Sequence, residues 1–221
     1  MMMKKKIQVI GAVCMGMLCG IGVYAGFRYQ HTSAVRPEDA YGPAVRQIQS
    51  SVDKDQDGID DQTDILQEAL KYVSTKPKYK SRYYETGYPD DKYGVCTDVT
   101  ANALKHAGYD VMELIQKDIE EHPDDYDIEE PDIYIDFRRV KNLKVYFANT
   151  AVSLTLDLSE IEQWQGGDIV IFKNHIGIVS DRRNERGVPY VIHHNDPWQA
   201  AYEQDILESR DDIAGHYRIS E

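Results

Sequence analysis

Hydrophobic and polar positions fall into three regimes along the chain. Residues 7–27, IQVIGAVCMGMLCGIGVYAGF, carry no charge and follow MMMKKK. A helix of that length rises roughly 30 Å, enough to cross a bilayer core. Residues 1–27 therefore read as a signal anchor or signal peptide, with Lys4, Lys5 and Lys6 held in the cytoplasm. Val23-Tyr24-Ala25 is an imperfect small-x-small cleavage site, and the length of the run favours an uncleaved transmembrane anchor. Residues 28–50 mix polar positions with Pro37 and Pro43 and read as a stalk.

The second regime has helical spacing. Asp64 to Val73 places Ile65, Leu66, Ala69, Leu70 and Val73 on one stripe. Thr97 to Ala107 does the same with Val99, Ala103, Leu104 and Ala107, and Gly108 closes it. Val111 to Glu121 spaces Met112, Ile115 and Ile119 for burial. The tyrosine-rich stretch KPKYKSRYYETGYPDDKYG before Val95 reads as ordered loop.

After a carboxylate-rich loop the pattern shortens to β-branched and aromatic runs. These are Ser153 to Asp157, Asp168 to Phe172, His175 to Asp181, Pro189 to His194 and His216 to Ser220. Helices first and strands afterwards predict an α+β domain over residues 64–221, with its helices packed on a small antiparallel sheet.

Charge narrows the partners. A net charge of −13 argues against nucleic acid, which needs clustered Lys and Arg. Everything after the anchor is expected to be extracytoplasmic, membrane-attached through the N-terminal helix, or secreted if that segment is cleaved. Outside the apolar run the chain has one cysteine, Cys96, so no intrachain disulfide can staple this domain.

Residues 51–64 contain DKDQDGIDDQTD, with Asp53, Asp55, Asp57, Asp61 and Asp64 arranged around Gly58. Alternating carboxylates at a glycine turn suit a hard cation that takes about six to eight oxygen ligands. Ile59 comes one place early for an EF-hand, and Asp64 stands where that loop has Glu. The spacing looks more like the short calcium loops of thrombospondin-type repeats. The implied cofactor is a structural calcium ion, with none needed for catalysis; a solvated acidic linker is the alternative.

Cys96 begins a predicted helix, and a helix N-terminus lowers a thiol pKa. His175 opens a strand, and its strand mate Gly177 leaves room beside it. His193 ends the next strand, where it could orient His175 as a third group orients a catalytic imidazole. A lone buried cysteine is also commonly just a small hydrophobe.

The segments GYPDDKYGVCTDV, DIYIDFRRVKNL, WQGGDIVIFKNHIGIVSD, YVIHH and GHYR together resemble an uncharacterised family of exported bacterial proteins. That family is grouped with the NlpC-type, papain-fold cell-wall cysteine peptidases. The resemblance implies a papain-like domain with Cys96 as nucleophile, His175 as base and His193 as orienting residue. It departs from the NlpC pattern in having VCTD around the cysteine. Tyr93 is a candidate hydrogen-bond donor and Trp198 a cleft-lining residue. Arg138 and Arg139 would bind a substrate carboxylate, or pair internally with Asp98, Asp132 or Asp136 on a strand. The expected activity is a cysteine peptidase or amidase acting on a peptidoglycan stem peptide or other cell-envelope peptide. A catalytically inactive papain-fold binding module and a calcium-dependent adhesion or scaffold protein are the alternatives.

Overall fold

The computed structural model describes residues 19–20, 22–43 and 45–220. The expected anchor or signal segment lies for the most part outside these residues. Among the described residues no helix is long and apolar enough to cross a membrane.

Helix α1 (Asp61–Ser74) starts where the Asp60 carboxylate accepts the Thr63 N–H at 3.2 Å and the Ser50 N–H at 2.9 Å. That cap satisfies a donor the first turn would leave unpaired. Its inner face is Ile65, Ala69 and Val73. Helix α2 (Cys96–His106) buries Val99, Ala103 and Leu104. It ends at Gly108, whose positive φ of 84° is the left-handed geometry a helix end often needs. Helix α3 (Val111–Glu121) is capped by Asp110 and buries Ile115 and Ile119.

The segment from Asp132 onward is helical, not extended. A single turn, α4 (Ile133–Asp136), leads into α5 (Val140–Thr150), so Arg138 and Arg139 lie in a helix-to-helix corner and not on a strand. The burial of Leu143, Tyr146 and Phe147 holds α5 against the core.

A six-stranded antiparallel sheet follows the helices. Its strands are β3 (Val152–Ser153), β4 (Ile169–Phe172), β5 (His175–Arg183), β6 (Pro189–Ile192), β7 (Glu203–Gln204) and β8 (Ile213–Arg218). The order across the sheet is β3-β8-β4-β5-β6-β7. A separate parallel pair, β1 (Lys78–Tyr79) and β2 (Tyr93–Gly94), sits just before α2. Strand alternation sorts the sheet's side chains onto two faces. Ile169, Ile171, Ile176, Ile178 and Ile192 join the helices in the main core. Val170, Phe172, Val179 and Val191 meet Trp164, Val188 and Leu207 in a second core on the other face. Burial at about 1.5–3 kcal/mol per large aliphatic side chain makes these two layers the main support of the fold. The chain is thus α+β with an antiparallel sheet, as its patterning predicts.

A buried polar network ties α1 to the sheet. Asp168 accepts two bonds from Arg218, at 2.8 and 2.9 Å, and one from Gln62 at 2.8 Å; it is also joined to His216 Nε2 at 3.0 Å. The His216 ring stacks on Trp164 at 3.7 Å between centroids. A buried carboxylate of this kind is tolerable only because each of its lone pairs is engaged.

The segment read as a stalk is laid along the domain. Ser33 bridges Ala201, Ala40 N–H donates to the Arg183 carbonyl at 2.8 Å, and Arg36 pairs with Asp181 and Glu203. Gln30 exchanges two hydrogen bonds with the Tyr79 backbone, at 2.9 and 2.7 Å.

Candidate functional site

Cys96 is the first residue of α2, with Val95 as its N-cap. Helix geometry and the strand edge set what surrounds the sulfur. The backbone of Cys96, Thr97 and Ile176 offers it hydrogen bonds, each favouring the thiolate. Ile176 follows His175 directly at the start of β5, so the thiol abuts the strand that carries the expected base. Desolvation outweighs these donors and pushes the thiol up to about 11, with the Asp98 charge adding to the rise. Cys96 is a free, partly exposed residue whose sulfur is largely withdrawn from water.

His175 and His193 come together. His175 Nε2 lies 2.9 Å from His193 Nδ1, in a buried contact between β5 and the residue after β6. On the other side of the ring the Gln199 side-chain amide stands 3.4 Å from His193 Nε2, and the Gln204 side chain on β7 also bonds the ring. The proton of the His175–His193 contact can sit on either ring, so the contact orients both imidazoles without fixing which nitrogen donates. Gln199 donates to the His193 carbonyl at 3.0 Å and holds the turn beyond it. Gln199 and Gln204 have no signature in the sequence, because the turn after β6 and the β6–β7 pairing bring them to the ring in a way that spacing does not reveal.

The space beside Gly177 is filled. A Cβ there would meet Val191 Cγ1 at 2.6 Å, the Ile192 carbonyl at 2.9 Å and His193 Cβ at 3.1 Å. Glycine therefore lets β6 and His193 approach β5, and the expected vacancy for substrate or thiol is taken by the neighbouring strand. Among the described residues no hydrogen bond joins the Cys96 sulfur to either imidazole. Their structural link is the Ile176 backbone.

His194 points to a different environment. Its ring meets Tyr79 at 5.2 Å and Tyr202 at 5.1 Å, edge to face, and its buried Nδ1 has no hydrogen-bond partner. Burial raises the Tyr79 hydroxyl and a thiolate at Cys96 would raise it further, so this aromatic wall borders the thiol.

The three imidazoles make the fold sensitive to acid. Burial, with Arg210 adding its charge, lowers His175 to about 4; burial also lowers His194 to about 4 and His193 well below its usual value. Between pH 6.5 and 4 the unfolded chain binds protons that the native sites refuse, so stability falls as the pH drops through that window. At pH 5, His175 and His194 should each remove about 2 kcal/mol relative to pH 7.5. Urea unfolding at the two pH values measures this; equal unfolding free energies would show that these rings protonate freely in the native state.

Behind the helix start, Arg138 grips Asp98 with two bonds, at 2.7 and 3.0 Å, both side chains being buried. The second Asp98 oxygen also accepts the Val95 N–H at 2.8 Å, closing the N-terminus of α2. Burial raises the Asp98 carboxyl, and the guanidinium opposes that rise. Arg138 stands over the Tyr84 ring as well, at 5.1 Å. Its fork is thus engaged inside the protein. Arg139 is exposed, makes no ion pair among the described residues, and lines a cleft of about 240 Å³ with Arg82, Tyr83, Ile135 and Val95. Tyr93 lies under Lys80, Arg82 and Lys92, each between 5.2 and 5.6 Å from its ring. Trp198 is half exposed and packs edge-on against Tyr29 at 5.1 Å.

The aspartate ladder divides. Asp53, Asp55 and Asp57 bring ligand oxygens within 4.8 Å of one another. Asp61 turns inward, accepting the Lys54 N–H at 2.8 Å and the Tyr109 hydroxyl. Asp64 sits buried in the first turn of α1.

The site thus combines a helix-borne thiol with a histidine pair on the adjoining strands, linked through the Ile176 backbone. Residues 66–219 match the family described as a domain of unknown function, DUF1287, and the chain belongs to that family. The chain is similar to the uncharacterized protein YijF of Escherichia coli strain K12, at 32% identity over 200 residues, covering 85% of this chain and 91% of that protein. No solved structure matches the chain.

Proposed function

We propose that the chain is an extracytoplasmic cysteine hydrolase, of the papain-like NlpC type, that cleaves an amide bond in a peptidoglycan stem peptide. The observation that carries this reading is the 2.9 Å bond between His175 Nε2 and His193 Nδ1, set where the next residue's backbone bonds the Cys96 thiol. That arrangement supplies a nucleophile, an imidazole for the base and a second ring that orients it.

At neutral pH both partners rest uncharged, a thiol near 11 and an imidazole near 4. Proton transfer therefore belongs to the attack itself. His175 takes the thiol proton as sulfur bonds to the carbonyl carbon. The oxyanion draws on the Cys96 N–H at the helix start. The C–N bond then breaks, His175 gives the proton to the leaving amine, and a thioester remains. Water adds to it, giving its proton to His175, and cleavage of the C–S bond returns the thiol and releases the carboxylic acid. Arg139, unpaired in its cleft beside Val95, suits a carboxylate on the substrate. Stem peptides carry such groups outside the cytoplasm, and the uncharged run 7–27 after Lys4, Lys5 and Lys6 supports export of this domain.

Incubating the chain with purified peptidoglycan and identifying released fragments by mass spectrometry tests the reading. Peptides with a newly freed amine and carboxyl group are expected; an undigested wall rules out this substrate. The second reading is a binding module that keeps the cleft without turnover, and the raised thiol pKa favours it. Iodoacetamide separates the two. In a hydrolase, His175→Ala slows alkylation of Cys96 at neutral pH because the base is gone, whereas a silent module shows equal rates.

A further inference from the structure

The uncharged run 7–27 joins the domain without slack. Residues 22–28 are helical, and the Tyr29 N–H donates to the Ala25 carbonyl at 3.0 Å, so the helical turn carries just past the end of the run. The chain is fastened at once. Gln30 N–H donates to the Pro197 carbonyl at 2.7 Å, and the Arg28 guanidinium reaches the Trp198 carbonyl at 3.5 Å. The Tyr29 ring packs edge-on against Trp198 at 5.1 Å.

Large apolar side chains stay in the open at this junction. Phe27 is 67% exposed, Tyr29 48% and Trp198 51%, and Trp198 reaches the place from the loop after β6. The other tryptophan, Trp164, is fully buried. Asp196, the carboxylate of the Trp198 loop, is turned back on its own segment, accepting the Trp198 N–H at 2.7 Å and the Asn195 amide at 2.8 Å. Arg28 is left as the charge beside the rings, and a guanidinium suits lipid phosphates. Aromatic rings with a basic neighbour at the end of an uncharged run are the composition of a membrane interface.

We propose that the Trp198 loop, together with Phe27 and Tyr29, docks into the headgroup layer of the bilayer that the run 7–27 crosses. Distance carries the argument. The headgroup layer is about 5–8 Å deep on each side of the hydrocarbon. Tyr29 lies two residues beyond Phe27, a rise of about 3 Å in a helix. The Trp198 ring, 5.1 Å from Tyr29, therefore falls inside that layer or at its edge. The hydrogen bonds of Arg28 and Gln30 leave no tether by which the domain could stand off. Gln30 also exchanges two hydrogen bonds with the backbone of Tyr79, which borders the thiol, so the cleft is held close to the membrane surface. The docking rests on the run crossing a bilayer and is independent of the hydrolase reading.

The test uses the full chain reconstituted in phosphatidylcholine vesicles, and in matched vesicles whose lipid is brominated in the upper part of its acyl chains. Flotation with the vesicles after a carbonate wash checks the anchor; a chain left behind overturns the anchor and the docking together. In the floated chain, bromine should remove most of the emission that Trp198→Phe also removes. The residual emission of that variant, from buried Trp164, should be the same in both lipids. Iodide, present on both sides of the membrane, should leave the Trp198 emission nearly unchanged. Trp198 emission quenched by iodide and not by bromine places the loop in water. Emission reached by neither quencher places it against protein, such as a second copy of the chain. Either result overturns the docking and leaves the anchor standing.

Discussion

Cys96→Ala is expected to lower the rate of stem-peptide cleavage by roughly 10⁴-fold or more while the melting curve stays close to that of the unsubstituted chain. The sulfur is the only protein atom in the proposed mechanism that bonds to the substrate carbon, so no neighbouring side chain replaces it. Removing one small side-chain atom at the start of α2 leaves the helix and the cores intact, at a cost of about 1 kcal/mol. His175→Ala should reduce the rate comparably, and the double variant should be no worse than either single one, because nucleophile and base act as a unit. Comparing initial rates on purified peptidoglycan checks the set. A Cys96→Ala chain that still turns over at full speed removes the thiol mechanism outright.

The largest effect on stability belongs to Arg138. Arg138→Met leaves Asp98 buried without its counter-charge, which costs about 3–5 kcal/mol. For a chain of this size that corresponds to a fall in melting temperature of about 6–20 °C. Asp98→Asn/Arg138→Met should recover most of the loss. The asparagine oxygen still accepts the Val95 N–H, and the charge that had become unpaired is gone. Thermal melts followed by circular dichroism measure all three chains. A single variant that melts within 2 °C of the original would show that Asp98 takes up a proton cheaply and does not need the guanidinium.

The location of the pair bears on the chemistry as well. Asp98 opposes ionisation of Cys96, two residues away, and Arg138 is the cation that limits this opposition. Part of the thiol environment is therefore set by a residue from the corner between α4 and α5. Sequence spacing alone kept three carboxylate partners open for the arginines. The structure selects Asp98 for Arg138 and leaves Arg139 without an ion pair among the described residues.

What was readable in the chain, and what was not, follows the range of each interaction. The stripes at Ile65, Ala69 and Val73 and at Val99, Ala103 and Leu104 are local, and both helices form where they predict. Cys96 at the start of α2 is local too. Val140, Leu143, Tyr146 and Phe147 carry the same helical signal, but β-branched and aromatic residues with interspersed lysines obscure it, and α5 went unread. The run 28–50 is polar enough to read as a tether. Its attachment depends on Arg36 meeting Asp181 and Glu203, far along the chain, which no local pattern encodes.

By itself, the sequence determined the α+β order, the helix that bears the thiol, the two histidines worth pairing and the aspartates worth testing with a cation. Those features arise from periodicity and from side-chain chemistry, which act over a few residues. Only the tertiary structure decided the His175–His193 contact and the Gln199 amide beyond it, the filling of the space at Gly177, the capture of Arg138 by Asp98 and the split of the aspartate ladder. Each of these depends on side chains from distant segments meeting at hydrogen-bond distance, and burial then fixes which groups keep their charge.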